Sequence, residues 1–403
     1  MTRVTVTGGA AAFPVRDFLT RANVPFEYLD DAGPAGVVVC TLADGTCLDS
    51  PTLTELATHL GLVSDPSLAA YDLAVIGAGP AGLAAAVYAA SEGLTTVVAE
   101  RGAPGGQAGT SSQIENYLGF PDGISGADLA ARARDQAARF GADMLLLREV
   151  VGGGPDEGAG FRVELTGGIS IRASTVLCAT GVEWRKLQVP GIERLLHSGV
   201  YYGSAVSEGP GLRGKDVYVI GGGNSAGQAV MSFARVARSV TLLVRGPHLA
   251  ASMSAYLAKR LHDAPNVEVR TNAEVSAVDG DDWLRTLELT DSATERRTVV
   301  DAHALFVCIG GEPRTEWAAD GGIVRDQAGY LVTGRTLVDT DSGLAEGRWS
   351  LNRDPYPLET SQPGLFAAGD VRHGSSKRVS AAVGEGAMAV GLVHRFLADL
   401  MGS

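Results

Sequence analysis

Three glycines, Gly77, Gly79 and Gly82, have the spacing G-x-G-x-x-G between the apolar run LAVI and an alanine-rich segment. In a strand–turn–helix unit such glycines allow a tight turn, close approach of the backbone to a pyrophosphate, and close packing of helix on strand. The pyrophosphate rests on the helix N-terminus, where free N–H groups favour an anion. Glu100 ends the next strand, where a carboxylate can pair with ribose hydroxyls. This pattern predicts a dinucleotide site.

A second unit of the same kind, VYVIGGGNSAGQAV, follows roughly 145 residues later. Gly221, Gly223 and Ala226 give G-x-G-x-x-A, and Asn224 and Ser225 open the predicted helix. We expect these residues to bind a second dinucleotide. The alternative is a degenerate site that is retained for folding.

Arg245 follows the strand that should end in an acid in this second unit. A carboxylate there would bind the ribose 2′-hydroxyl and repel a 2′-phosphate, whereas an arginine does the reverse. The residue therefore favours NADPH over NADH.

The bulk composition narrows the class of protein. The chain has 403 residues, a net charge of −13 and a mean hydropathy of +0.10. A strongly acidic surface repels nucleic acid and anionic membranes. The N-terminal residues lack the charged and apolar regions of a signal peptide. We therefore expect a cytoplasmic protein of two or three domains with no nucleic-acid or membrane partner.

The four cysteines cannot form a C-x-x-C redox pair or a paired zinc motif, because no two of them have only two residues between them. We expect no metal site. Cys178 and Cys308 lie in apolar runs typical of buried strands, so we expect structural thiols there. Cys40 and Cys47 flank the turn TLADGT and could face each other across it.

From about residue 70 onward the chain resembles the low-molecular-weight thioredoxin reductase family. The resemblance rests on two nested dinucleotide units, the segment PGGQAGTSSQIENYLGF, the ATG and VPG triplets at 179–181 and 189–191, and GLFAAGD near the C-terminus. It implies that FAD and NADPH are the cofactors. It also implies that the following residues contact FAD: Gly106, Gln107, Asn116, Gly369, Asp370, Lys377, and the backbone N–H groups of Arg378 and Val379.

The resemblance also implies an α/β fold with three parts. Two Rossmann-like (three-layer ββα) dinucleotide-binding domains are nested, with residues 191–310 inserted between 67–190 and 311–403. Residues 1–66 are similar to the start of a glutaredoxin, but GAAA stands at Gly9–Ala12, where that fold has its C-x-x-C. We expect a small, truncated thioredoxin-like domain with a structural or interaction role.

The stretch GVYYGSAVSEG, residues 199–209, departs from the family pattern. The family places a C-x-x-C and an acid here. Counting back from the next strand puts Ser204, Ser207 and Glu208 at those positions, and counting forward puts Gly203 and Val206 at the two cysteines. Neither alignment gives a thiol, so thiol–disulfide exchange at this place is excluded.

Tyr201, Tyr202 and Glu208 are the candidate catalytic residues that remain. The two tyrosines could form a substrate platform beside the flavin, or simply fill the space of the missing cysteines. Glu208 could act as a general acid or base, or be a solvated loop carboxylate. His373 lies near the flavin by the family match or on the surface. The long segment 348–364 could be a lid or an interface element.

We expect an FAD-dependent oxidoreductase, in which NADPH reduces the flavin, and the electrons pass to a small molecule or a small redox-carrier protein. One alternative is an oxidase or dehydrogenase of a small biosynthetic intermediate, and another is a non-catalytic flavin- or nucleotide-sensing protein. We expect a homodimer. The family rotates its inserted domain so that nicotinamide and disulfide alternate at the flavin. Without a disulfide, we expect one arrangement to dominate.

Overall fold

A computed structural model describes residues 4–29, 36–111, 113–114, 116–156, 160–203, 211–249, 253–339 and 349–402. Its strands form separate sheets that belong to an N-terminal module, a first α/β domain and an inserted domain. Both larger units place a glycine turn after a strand of a parallel sheet. The predicted α/β class with Rossmann-type domains is confirmed.

The N-terminal module is a four-stranded sheet with two helices. The strand order is β2-β1-β3-β4, with β1 parallel to β2 and antiparallel to β3. Val15, Phe18 and Leu19 form the buried side of its first helix, at the spacing of one helical face. The elements are β1 (Val4–Thr7), α1 (Phe13–Arg21), β2 (Phe26–Leu29), β3 (Val39–Thr41), β4 (Cys47–Asp49) and α2 (Leu53–His59).

The first α/β domain surrounds a sheet with the order β7-β6-β5-β10-β9-β8, in which a late strand, β21, also pairs with β10. β5, β6, β7, β21 and the second half of β10 are parallel, as a strand–helix–strand unit requires. Its elements before the insertion are β5 (Ala70–Ile76), α3 (Pro80–Ser91), β6 (Thr96–Glu100), α4 (Gly126–Arg139), β7 (Asp143–Leu146), β8 (Val150–Pro155), β9 (Phe161–Leu165) and β10 (Ile169–Cys178).

The inserted domain has a five-stranded parallel sheet and a three-stranded antiparallel sheet. The parallel sheet has the order β12-β19-β13-β14-β15. A short strand, β11 (Glu183–Trp184), leads into this domain. Its elements are β12 (Val200–Tyr202), β13 (Asp216–Ile220), α5 (Asn224–Phe233), β14 (Ser239–Val244), α6 (Ala255–Asp263), β15 (Val267–Thr271), β16 (Ala273–Gly280), β17 (Leu284–Asp291), β18 (Arg297–Asp301) and β19 (Ala304–Val307).

A two-stranded ribbon connects the two larger domains. β11 pairs antiparallel with β20 (Gly311–Glu312), so that Trp184 lies opposite Gly311. The chain then returns to the first domain through α7 (Glu316–Asp320), β21 (Leu365–Ala367) and α8 (Val379–Gly402). The domain boundaries at 66, 190 and 310 stay a prediction.

Helix α8 packs against α3 at very short range. A Cβ on Gly386 would lie 2.1 Å from the carbonyl oxygen of Ala81, so this position has no room for a side chain. The contact brings the C-terminal helix to the first turn of the helix that follows the glycine motif. Among the described residues, no helix is long and apolar enough to cross a membrane.

We predict that Gly386→Ala destabilises the first domain by about 1–3 kcal/mol, because the new methyl group forces α8 away from α3. The control is Gly391→Ala on the same helix, where a Cβ meets nothing within 4 Å. Alanine should stabilise that position by up to about 1 kcal/mol. Thermal unfolding measures both, and equal melting temperatures for the two variants would show that the helices separate without cost.

Candidate functional site

The first glycine turn lies between β5 and α3, in the strand–turn–helix context that the motif predicts. Gly77 has φ of 102°, and a Cβ there would lie 2.6 Å from the carbonyl oxygen of Ala179. A Cβ on Gly82 would lie 1.9 Å from the carbonyl oxygen of Gly77. Both positions therefore require glycine for contacts inside the protein.

Gly79 is different, because a Cβ built on it meets nothing within 4 Å. It is the N-cap residue of α3 and has an ordinary φ of −74°. Neither backbone strain nor protein packing explains a glycine here. An open space at the N-terminus of a helix suits a pyrophosphate. This is the observation on which the fit of a dinucleotide rests.

Glu100 ends β6 beside this turn, and the residue is 8% exposed. One carboxylate oxygen accepts a hydrogen bond from Ala78 N at 2.7 Å, and the other accepts one from Gly102 N at 2.8 Å. These bonds hold the carboxylate against the turn. A ribose at the end of β6 would meet it there.

The loop Gly105–Gln107 packs directly on the glycine turn. Gly105 N donates to the carbonyl oxygen of Ala78 at 2.7 Å. Gly106 has φ of 53°, and a Cβ there would lie 3.3 Å from Gly79 Cα. Gln107 Nε2 donates to the carbonyl oxygen of Val182, at the start of the interdomain ribbon. Asn116 lies in an exposed bend further along. The roles of these residues toward FAD stay predictions.

The segment from Gly369 to Val379 approaches the same turn from the C-terminal part of the chain. Gly369 has φ of 79°, and a Cβ there would lie 3.0 Å from Ala81 Cβ. Lys377 Nζ donates to the carbonyl oxygen of Asp370 at 2.6 Å. Burial raises the pKa of the Asp370 carboxyl, which the positive charge of Lys377 opposes. Val379 opens α8, as the resemblance implies for the closing helix.

One detail of this segment differs from the expectation. The N–H group of Arg378 donates to the carbonyl oxygen of Ser376 at 2.7 Å, so it is engaged within its own turn. Its expected role toward a flavin would require that bond to break. His373 lies near this segment and pairs with Asp326, with 2.6 Å between Nδ1 and Oδ2.

Glu385 is a residue of this site that sequence reasoning missed. Its carboxylate accepts a hydrogen bond from Gly369 N at 2.7 Å and pairs with the guanidinium of Arg372. It therefore holds the GD turn onto α8. A carboxylate within the glycine-rich helix segment GEGAM was the available signal.

The second glycine turn lies between β13 and α5. Gly221 has φ of 148°, and a Cβ there would lie 2.5 Å from the carbonyl oxygen of Cys308. Gly223 is the N-cap residue of α5, and Ala226 is completely buried. Asn224 Oδ1 accepts a hydrogen bond from Ser254 N at 2.8 Å, and Ser225 is exposed on the first turn.

Arg245 follows Val244 at the carboxyl end of β14, and its side chain is exposed. The carboxyl end of the strand next to the glycine turn is where a ribose of a bound dinucleotide lies. The placement suits a 2′-phosphate. The residues present thus fit both an FAD at the first turn and an NADPH at the second.

The structure corrects the expectation for Tyr201. Its side chain is 1% exposed in the core of the inserted domain, where its ring stacks on Phe306 at 5.2 Å. The physical reason is that β12 pairs with β19, which turns this ring into the sheet's packing layer. A buried core ring cannot serve as a substrate platform.

Tyr202 points the other way and contacts the interdomain segment. Its hydroxyl accepts a hydrogen bond from Leu187 N at 2.9 Å, and burial raises its pKa. Gly203 packs on the neighbouring ring of Trp184, where a Cβ built on the glycine would lie 3.0 Å from Cζ2. Glu208, Ser204 and Ser207 lie outside the described residues.

The described part of the long segment, 349–364, packs on the first domain, because Tyr356 is buried in that domain's core. The carboxylate of Glu359 is completely buried and binds the guanidinium of Arg353 at 2.7 Å and 2.9 Å. Tyr356 N and Gly364 N also donate to it. Four hydrogen bonds to this buried charge therefore cross-link the segment internally.

The cysteines are distributed as isolated thiols. Cys178 and Cys308 are buried, as predicted, and burial raises the pKa of Cys308 to about 12. The expected facing of Cys40 and Cys47 is wrong, because Cys47 lies opposite Thr41 and Cys40 lies opposite Leu48. Neighbouring register positions point to opposite faces of a sheet. Among the described residues, no cluster of side chains could hold a metal ion.

These nested dinucleotide-binding domains are those of a nucleotide-dependent flavoprotein. Residues 71–386 match the model of the pyridine nucleotide-disulphide oxidoreductase family, and the chain belongs to that family. It is thioredoxin reductase-like, and thioredoxin reductases use FAD and NADPH.

Its relatives have several names. The chain is 32% identical over 343 residues to the F component of the alkyl hydroperoxide reductase of Staphylococcus epidermidis, covering 84% of this chain and 62% of that protein. It is 34% identical to the NADH dehydrogenase of Bacillus subtilis, with the same two coverages. It is 31% identical to the thioredoxin reductase of B. subtilis, covering 82% of this chain and 96% of that protein.

The chain thus spans about three-fifths of the length of the first two relatives. Among solved structures, the thioredoxin reductase of Lactococcus lactis in its FR conformation superposes with a TM-score of 0.71 at 29% identity. That match covers 82% of this chain and 99% of the other.

We predict that Gly79→Val abolishes room for the pyrophosphate without disturbing the fold, because its position is open and its φ suits any residue. FAD affinity should fall at least about tenfold, equivalent to about 1.4 kcal/mol. The FAD-free protein should lose no more than about 1 kcal/mol of stability, the cost of a valine at the N-cap of α3. The matched control is Gly154→Val in β8, which is also open. Unchanged FAD binding by Gly79→Val, measured by ultrafiltration, would place the pyrophosphate elsewhere.

Proposed function

We propose that this chain is an FAD-dependent oxidoreductase that takes hydride from NADPH and passes electrons to an acceptor other than a disulfide. The observation that carries the proposal is the pair of glycine turns in nested parallel sheets, in a chain whose four cysteines are single thiols, with Cys178 and Cys308 buried beside the two turns. Bound FAD would supply a two-electron carrier between nucleotide and acceptor. The chain's own residues bind and orient the two dinucleotides.

The state of the thiols supports an acceptor that is not a disulfide. Thiol–disulfide exchange requires a thiolate and a second thiol to resolve the mixed disulfide. Burial raises the pKa of Cys40 to about 11, and it raises those of Cys178 and Cys308 as well. Cys47 is exposed, and the other thiol of the N-terminal module, Cys40, is buried and lies opposite Leu48 instead of Cys47. The family's disulfide chemistry therefore has no equivalent in these residues.

The acceptor site is proposed to lie beside the stretch 199–209. Gly203 and Trp184 pack together where this stretch begins, next to the ribbon that joins the domains. Glu208 remains a proposed general acid or base for the proton that accompanies electron transfer. Tyr202 is proposed to support this place through its bond to the interdomain segment, and Tyr201 through the core behind it.

Two other functions follow from the same cofactor sites. In one, the chain oxidises a small biosynthetic intermediate and returns electrons to oxygen. In the other, it senses nucleotide or flavin redox state without turnover. The exposed Arg245 at the end of β14 favours the binding of NADPH, which is the reductant of the proposed oxidoreductase. Assembly as a homodimer is part of the proposal.

We predict that NADPH bleaches the flavin absorbance stoichiometrically under anaerobic conditions, while disulfide reduction stays at background. A thioredoxin-coupled assay with the B. subtilis thioredoxin reductase as positive control measures the second quantity. A thioredoxin-dependent rate comparable to that control would refute the proposal. Rapid reoxidation in air that needs a small substrate would instead favour the oxidase, and no bleaching at all would favour the sensor.

We further predict that NADPH reduces the flavin faster than NADH, and that Arg245→Ala removes this preference. One salt-bridging arginine on a phosphate contributes about 1–3 kcal/mol, which is a factor of about 5–150 in nucleotide affinity. Arg296→Ala, an exposed arginine between β17 and β18, is the control. Stopped-flow reduction rates with both nucleotides decide the matter, and equal rates in the unaltered protein would show that Arg245 does not contact the ribose phosphate.

A further inference from the structure

Helix α1 of the N-terminal module has a second face besides the one buried in its own sheet. Phe13, Asp17 and Arg21 follow one another at intervals of four residues, so they lie along one side of the helix. From Phe13 to Arg21 the helix rises about 12 Å. The two ends of this face contact two different domains.

The first end contacts the inserted domain. The ring of Phe13 stacks on His197 with 4.4 Å between centroids and 14° between planes, and lies 5.5 Å from the ring of Tyr201. His197 lies ahead of β12 and has a left-handed φ of 64°. Burial lowers the pKa of His197, opposed by the charge of Asp17, which favours the neutral imidazole in this stack.

The second end contacts the loop that packs on the first glycine turn. Arg21 Nη2 donates to the carbonyl oxygen of Ala103 at 2.9 Å and to that of Gly106 at 3.3 Å. Gly106 is the residue whose backbone lies against Gly79. Arg21 therefore contacts Gly106, which in turn lies against Gly79 at the proposed pyrophosphate position.

Other contacts fix the module to the first domain. Arg134 Nη1 on α4 donates to the carbonyl oxygen of Ala22 at 2.8 Å. Ser64 Oγ donates to the carbonyl oxygen of Met144 at 3.1 Å, and Arg148 pairs with Asp65 at 3.2 Å. Because these contacts attach the module to the first domain, the stack of Phe13 on His197 links the first domain to the inserted domain through the module.

We propose that α1 is an interdomain strut, which fixes the orientation of the inserted domain relative to the first glycine turn through Phe13, and positions the loop Gly105–Gln107 through Arg21. This inference rests on the two dinucleotide domains of the proposed function, and it is independent of the acceptor. It assigns a role to the N-terminal module that needs no cysteine. Phe13 and Arg21 are positioning residues, because neither touches a reacting atom.

The orientation is tested by an intramolecular distance. Spin labels are placed at Val151→Cys in β8 and Val299→Cys in β18, both well-exposed strand positions, in a Cys47→Ser background. Pulsed dipolar spectroscopy is recorded without NADPH. The labelled chain is diluted in unlabelled chain, so that distances within one chain dominate. We expect one narrow distance distribution, both with and without FAD.

Phe13→Ala should broaden this distribution or add a second maximum. His197→Gly removes the same stack from the other side, suits the positive φ, and leaves the module's own core intact, so it should give the same result. Arg134→Gln removes one of the module's contacts with the first domain and leaves those of Ser64 and Arg148, so it should broaden the distribution less than Phe13→Ala does. A narrow, unshifted distribution in both Phe13→Ala and His197→Gly would overturn the strut.

The role of Arg21 is tested by FAD dissociation rather than by turnover. Arg21→Gln should raise the Kd of FAD by about tenfold, because two charge-assisted bonds to the loop are lost. Arg21→Lys should recover part of the affinity. Arg134→Gln, which loses a guanidinium bond across the same module boundary, should bind FAD normally. Equal FAD affinity in Arg21→Gln and Arg134→Gln would remove the positioning role, whereas a failed acceptor assay would leave these outcomes unchanged.

Discussion

The close approach of helix α3 to strand β5 is the constraint on which the first cofactor site depends. The carbonyl oxygen of Gly77 lies so near Gly82 that a side chain at Gly82 has no space. Helix α8 then crosses α3 at Ala81, and Gly369 packs on the same residue. The glycine turn, the C-terminal helix and the GD segment therefore form one compact cradle, and Glu100 and Glu385 bind its backbone N–H groups from two sides.

Local sequence was sufficient to predict the parts of this cradle that follow each other in the chain. A strand, a glycine turn and a helix are specified by neighbouring residues, and both units form as predicted. Glu385 was missed because its partner, Gly369, lies 16 residues earlier and on another element. Tyr201 was misplaced for a related reason. The strand β12 pairs with β19, roughly a hundred residues later, and no local pattern indicates that pairing.

The role of the N-terminal module was the least predictable feature. Its elements follow from periodicity, because Val15, Phe18 and Leu19 mark one apolar face of α1. The opposite face carries an aromatic ring and two charges, which on sequence alone is typical of a solvated surface. Its partners His197 and Gly106 lie in two different domains, so their contact with one helix depends on the whole tertiary arrangement.

The interdomain ribbon bears on the evolution of chains with this architecture. Trp184 and Gly311 are paired residues of an antiparallel ladder, so their Cα atoms lie about 5 Å apart. The chain between Trp184 and Gly311, which includes the inserted domain, therefore leaves the first domain and returns to it at one place. A genetic exchange with both junctions in this ribbon would replace the nucleotide-binding unit as a cassette and leave the flavin cradle covalently continuous. Its ends already meet, so a short turn could also close the gap after a deletion.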